Sequence, residues 1–428
     1  MPPTDGRIRN IWRGIFPFNY VPTNHLFTFF CFSLPPILGS AATFVFHGGA
    51  LWCLFAVIRN PNLLVKEPIV VRMTAALYLV VFAYAFSTFW NGHWDRVVSL
   101  SWLWAFLVFP FSYSIWRIAD PAALARIVTT ACSLGAIGGF LICLFQYLAY
   151  GMRGEGGAGN ALVFATVTTL AVAISFAAGL RTSGSRSVFH IVAAGAGVAA
   201  IILSQSRGVW PALLVNAAVT LFVMRRRFPA ISMRHVGLTL LLLVPIAALF
   251  LWEAVPRFLD LVKNYESMQG GNFQTSLGLR VLLWKTGLQA WEGARLFGLG
   301  GGSIKEITHH LVLEGASPVQ YTHLHNQFLT TMVEAGLLGL VGLVAVIVVP
   351  LVYAWKTLRS DKTDIQEMGA LMLFSVLITF VTCGLTNIMF KQDIMDTVFI
   401  TTVIIGILLC SGYSGAADES VAPYSASR

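Results

Sequence analysis

Tyr321-Thr322-His323-Leu324-His325-Asn326 closes a long polar segment that begins near Trp252, and it runs straight into the apolar stretch 328–355. A helix of about 20 apolar residues crosses a bilayer, so this junction sets a titratable imidazole at the mouth of a membrane helix. Almost everything outside 253–327 reads as membrane span. The one long polar excursion is therefore where chemistry is expected.

Composition points the same way. The 428 residues are 57% hydrophobic and only 11% charged, with a mean hydropathy of +0.74, whereas soluble domains carry about 25% charged residues. Twelve apolar segments are long enough to consider as spans, near 26–42, 43–58, 71–90, 97–116, 127–150, 160–180, 187–204, 208–224, 235–252, 328–355, 369–390 and 394–411. Within the first two, Pro35-Pro36 and His47-Gly48-Gly49 are expected breaks. The fold class is thus an all-α integral membrane protein of about 12 transmembrane helices. Residues 1–252 form an N-terminal region of about nine spans, 253–327 an outer loop, and 328–411 a C-terminal region of three spans. Residues 412–428, rich in Gly, Ala and Ser, form a tail expected to be disordered. No cleavable signal peptide is visible, because the start is polar and basic.

Basic residues orient the chain. With an inside N-terminus, most of the 28 lysines and arginines fall in inside loops; the short outer loops hold only Arg96, Arg153, Arg207 and Lys391, and the long loop six more. Both ends then lie inside, and the net charge of +9 serves orientation and contact with anionic lipid rather than nucleic acid. The six cysteines all fall in apolar segments without a CxxC pair and read as small buried residues, not a disulfide framework. No internal repeat is evident, which argues against a transporter built from inverted halves.

Within the long loop, Leu279–Trp291 reads as an amphipathic helix with Arg280, Trp284, Leu288 and Trp291 on one side. Its tryptophans place it along the outer membrane surface. Leu299-Gly-Gly-Gly-Ser303 breaks it with a backbone able to approach a ligand closely, although no P-loop lysine follows. Residues 151–160, glycine-rich, form a flexible outer turn in which Asn160 is placed to cap the next helix.

Several residues here suit chemistry. Arg207, in Ser204-Gln-Ser-Arg207-Gly-Val-Trp210, stands at the edge of hydrocarbon, where a guanidinium either snorkels to lipid phosphate or binds a substrate anion. Its planar fork matches phosphate oxygens. Arg280 is open to the same two readings, a solvated face or a phosphate contact; together the pair would clamp a diphosphate. His309, His310, His323 and His325 crowd the end of the loop. His-x-His can supply two zinc ligands, and a lone histidine at a helix start is often a cap. With carboxylates sparse and no cysteine nearby, a general base near neutral pH is favoured over metal. Glu334 is the one clear acid within an expected span, and either functions there or hydrogen-bonds neighbouring helices. Lys391 and Asp393, in the short outer turn before the last span, are weaker candidates.

With these residues in hand, the chain resembles the O-antigen ligase/polymerase superfamily, and most closely the O-antigen ligases. The resemblance spans roughly 150–390. It rests on Ser206-Arg207-Gly208, on Arg280 with Trp284 and the Gly298–Gly302 cluster, on His325-Asn326-x9-Gly336-x-x-Gly339, and on Glu334 just before that first glycine. It implies a GT-C-like glycosyltransferase of the bacterial inner membrane, its long loop and active site periplasmic and both termini cytoplasmic. The implied donor is an O-antigen polysaccharide on undecaprenyl diphosphate, the acceptor is the lipid A–core oligosaccharide, and no metal or other cofactor is implied. His325 then takes the place of the family's essential histidine, and Arg207 and Arg280 those of its two essential arginines. Asn326, Glu334, Trp284, His323, Lys391 and Asp393 are supporting candidates. The competing readings are an O-antigen polymerase, an O-linked protein oligosaccharyltransferase and, from another class, a lipid-linked glycan transporter. A transporter would need a polar path that the nearly uncharged spans do not offer.

Overall fold

The computed structural model describes residues 20–225, 262–270, 273–313 and 319–412, with short pieces at 252, 255–256, 259–260 and 315–317. The expected span at 235–252 and the tail beyond 412 fall almost wholly outside these residues. Within the described residues every element is a helix, with no strand.

Proline sets the first boundary. Helix α1 (Tyr20–Ser33) stops ahead of Pro35-Pro36, and α2 (Gly39–Arg59) restarts after it. The two leading segments therefore divide at 34–38, not near 42, because proline lacks an amide donor and excludes helical geometry from the residue before it. His47-Gly48-Gly49 lies inside unbroken α2. The glycine there serves packing: the Phe27 ring of α1 occupies the space a Cβ on Gly49 would need.

Then follow α3 (Pro68–Trp90), α4 (Trp94–Trp116, opening as a 3-10 turn), α5 (Pro121–Tyr150), α6 (Ala161–Arg181), α7 (Gly184–Leu203) and α8 (Trp210–Met224). After the partly described segment come α9 (Ser276–Glu292), α10 (Ile304–Leu313), α11 (Gln327–Arg359), α12 (Asp364–Gly384) and α13 (Asp393–Cys410). Ten of these, α2 to α8 and α11 to α13, are long and apolar enough to cross a membrane. The protein is a multi-pass membrane protein.

Local chemistry fixes the helix ends. Asp120 accepts from the Ala123 amide at 2.7 Å, Asn160 from Leu162 and Val163 at 2.9 and 3.2 Å, and Thr363 forms a reciprocal capping box with Gln366. The 151–160 turn is anchored: Gln146 Oε1 accepts from the amides of Glu155 and Gly156, and Gly157 exchanges backbone hydrogen bonds with Pro36 and Gly39. At the centre stand α6 and α13, the most deeply buried spans. Glycine lets helices close there, as where Gly369 of α12 meets Gly406 of α13. All six cysteines are buried and unpaired.

Because the spans alternate in direction, the turns at 34–38, 91–93, 151–160, 204–206 and 385–392 share one end with α9, α10 and the 321–326 segment. Arg59, Arg72, Arg117, Arg181, Lys356 and Arg359 mark the other end. There Arg181 pairs with Glu367 at 2.6 Å and Arg117 with Glu67 at 2.9 Å.

Candidate active site

Helix α9 is capped by Thr275, which accepts from the Gly278 amide at 3.1 Å. Leu283 and Gly287 form its buried face. They pack with Leu324, Leu329, Ile304, Leu311 and Val333 into a small core of their own. Trp284 Nε1–H donates to the Leu324 carbonyl at 3.0 Å, so this tryptophan ties α9 to the histidine segment. Leu288 is 47% exposed.

The histidine segment is held on both sides. His325 adopts the left-handed backbone region, with φ of +49°, and its amide donates to His323 Nδ1 at 3.2 Å. Asn326 is the α11 cap: its side chain accepts from the Leu329 amide at 3.0 Å and donates to the Leu385 carbonyl at 3.1 Å. Gln327 is buried, and its Oε1 accepts from the amides of Met389 and Phe390 at 2.9 and 3.0 Å. The start of α11 is thereby bolted to the 385–392 turn. That turn delivers Asn387, whose Oδ1 lies 3.3 Å from His325 Nδ1. A carbonyl oxygen only accepts, so the proton resides on Nδ1 and Nε2 is left as the basic nitrogen. His309 and His310 stand exposed on the outer face of α10 and do not join His323 and His325.

Charge completes the cluster. Burial and the nearby Arg280 guanidinium hold the His325 pKa below the ordinary 6.5, opposed by its hydrogen bond to Asn387. Burial, His325 and Lys391 lower His323 to about 4, so it is neutral at physiological pH. Arg280 in turn is desolvated and feels the charge of Arg207. Arg207, Arg280 and His325, from three distant parts of the chain, therefore gather at one end of the bundle. Arg207 sits in the short turn Arg207–Val209. Before it, Gln205 is left-handed (φ +55°), and buried Ser206 donates to the Ala161 carbonyl at 3.0 Å. The close approach of Gly208 to Thr386, whose hydroxyl would meet a Cβ at 3.2 Å, brings this turn against the one carrying Asn387.

The glycine cluster and Glu334 form one brace. α11 breaks at Gly336, where φ is +65° and ψ is −163°. Across the break the loop pairs backbone to backbone: Leu299 and Gly300 donate to the carbonyls of Val333 and Glu334, and Leu337 donates to Arg295. A Cβ on Gly298 or on Gly336 would strike the partner backbone. The amides of Gly300, Gly301 and Gly302 are engaged by Ser87, Thr88 and the Glu334 carboxylate, each at 2.9 Å. The close approach expected of this loop is thus to its own α3 and α11. Glu334, fully buried, pairs with Lys391, whose ammonium also lies 5.5 Å from the Tyr84 ring centre. Asp393 is exposed in the first turn of α13 and joins neither brace nor histidines.

One prediction arises here. Breaking a buried ion pair from one side costs about 3–5 kcal/mol, so Glu334→Gln and Lys391→Met should each lower unfolding stability in detergent by about that much. The double variant should lose clearly less than the sum. Strict additivity would show that the two groups do not depend on each other.

Against known proteins, residues 190–344 match the family described as O-antigen ligase. This match supports the O-antigen ligase/polymerase superfamily. The superfamily match contains Arg207, Arg280, the glycine loop, His325 and Glu334; Asn387 and Lys391 lie beyond it. A protein of Haemophilus influenzae described as uncharacterized is 26% identical over 210 residues, covering 46% of this chain and 51% of that protein. The chain thus spans about half the length of that relative.

Asn387, Gln327, Ser87 and Thr88 were not evident from sequence. The polar turn between the last two spans was the available sign for Asn387, but no spacing links it to a histidine 62 residues earlier.

Proposed function

We propose that the protein is an O-antigen ligase of the bacterial inner membrane, GT-C-like in its fold, acting on the periplasmic face. It moves O-antigen polysaccharide from undecaprenyl diphosphate to a sugar hydroxyl of lipid A–core. The reading is carried by the convergence of Arg207, Arg280 and His325 within superfamily sequence.

In this reading the two guanidiniums hold the donor diphosphate, their forks matched to its oxygens. Nε2 of His325 takes the proton of the acceptor hydroxyl as its oxygen attacks the anomeric carbon. The bond from that carbon to the diphosphate oxygen breaks, and undecaprenyl diphosphate leaves with the electron pair. A diphosphate needs no protonation to leave, so catalysis reduces to a base and to stabilisation of charge growing on phosphate. One displacement inverts the anomeric carbon; a retaining route would want a pair of carboxylates about 5 Å apart. The arginines neutralise the diphosphate without a metal. Asn387 positions the imidazole so that Nε2, not Nδ1, faces the acceptor, while Asn326, Trp284 and the Glu334–Lys391 brace hold the segment that carries it.

A cell lacking the protein should accumulate polymerised glycan on undecaprenyl diphosphate and leave its lipid A–core uncapped. Lipid A–core bearing a single repeat unit would instead identify a polymerase, which uses the same donor.

A further inference from the structure

At the opposite end of the bundle lies a second recess, unrelated to the histidine cluster. It is a cleft of about 620 Å³ between the start of α3 and the last turns of α11, closed by Arg117 and Ser411. Its volume falls in the range of ligand sites, about 300–1,000 Å³. From Gln327 to Lys356, α11 spans about 40 Å at 1.5 Å per residue, so the two sites are well separated.

The lining has a direction. On α11, Val348, Val352 and Lys356 succeed one another at four-residue spacing and form one stripe, apolar toward the membrane interior and cationic at its end. Val348 and Val352 are 42% and 44% exposed. On α3, Ile69 and Arg72 also line the cleft. The cleft's one acid, Glu67, is already neutralised: it pairs with Arg117 at 2.9 Å and accepts from the Tyr113 hydroxyl at 3.2 Å. Arg72 and Lys356 therefore leave a net charge of about +2 over an apolar wall, at the end of the bundle where basic residues gather.

We propose that this cleft binds an anionic phospholipid, its phosphate between Arg72 and Lys356 and an acyl chain along Val348 and Val352. Such a lipid would tie α3 to α11, the two helices that carry Ser87, Thr88 and Glu334 at the other end. The proposal holds whether or not the protein is a ligase, because it depends only on the span arrangement and the cleft.

The test uses the full-length purified protein, delipidated in detergent and titrated with phosphatidylglycerol or with zwitterionic phosphatidylethanolamine. Bound lipid is read by native mass spectrometry and thermal stability alongside it. Phosphatidylglycerol should bind and raise the melting temperature; phosphatidylethanolamine should not. Arg72→Gln with Lys356→Gln should weaken that binding about thirtyfold, as expected for two basic groups facing a lipid headgroup. Arg126→Gln with Lys362→Gln, which removes equal charge from the same end outside the cleft, should leave it unchanged and guards against a misfolded cleft variant. Equal binding of both lipids, or equal losses in the two double variants, would overturn the site. A response that appears only after residues 413–428 are removed would assign the cleft to Asp418 and Glu419 of the tail, and the proposal would fail.

Discussion

Alanine at His325 is expected to lower transfer by about 10²- to 10⁴-fold, the contribution typical of a positioned general base, with expression and donor binding largely intact. The pH dependence carries the sharper signature. Only the neutral imidazole can accept the hydroxyl proton, so activity falls as pH drops through the His325 pKa. Burial and Arg280 hold that pKa below 6.5 in the free protein, so the acid limb of kcat/KM should lie below 6.5. A bound diphosphate would offset the Arg280 charge, and the acid limb of kcat should therefore sit at higher pH than that of kcat/KM. Near-normal turnover by His325→Ala, or an acid limb of kcat/KM above pH 7, would remove His325 from this role.

The second large effect concerns the arginines. Arg207→Ala and Arg280→Ala should each cost about 10²–10³-fold in turnover, as when a preorganised donor to a developing anion is lost. Lysine should restore only part of it, because an ammonium cannot reproduce the bidentate fork. The two positions should differ in one respect. Arg280 is the charge that bears on His325, so Arg280→Gln should move the residual acid limb up toward 6.5 while Arg280→Lys leaves it low. Unchanged donor affinity and turnover in both alanine variants would refute the clamp.

Much of the fold is legible in the sequence, for identifiable reasons. Pro35-Pro36 had to end a helix, and Asn160 had to find amides to cap; both outcomes follow from one residue's own chemistry. His47-Gly48-Gly49 misled because glycine in a membrane helix can mark close packing as readily as a break, and only the Phe27 ring opposite decides which. The glycine loop misled in a related way. Its residues announced a close backbone approach, but sequence does not say to what, and the partner proved to be α11 opened at Gly336. His325, Arg207 and Arg280 were legible as residue types in unusual places. Their convergence was not, since it depends on Gln327 holding the 385–392 turn and on Leu283 and Gly287 docking α9.

The most direct measurement is transfer by the purified protein in excess chelator, from a defined undecaprenyl-diphosphate-linked glycan to lipid A–core, with the anomeric configuration of the product determined. The account predicts capped lipid A–core, released undecaprenyl diphosphate and an inverted linkage. A retained linkage, activity restored only by added metal, or glycan extended on a second lipid-linked chain instead of lipid A–core would contradict it.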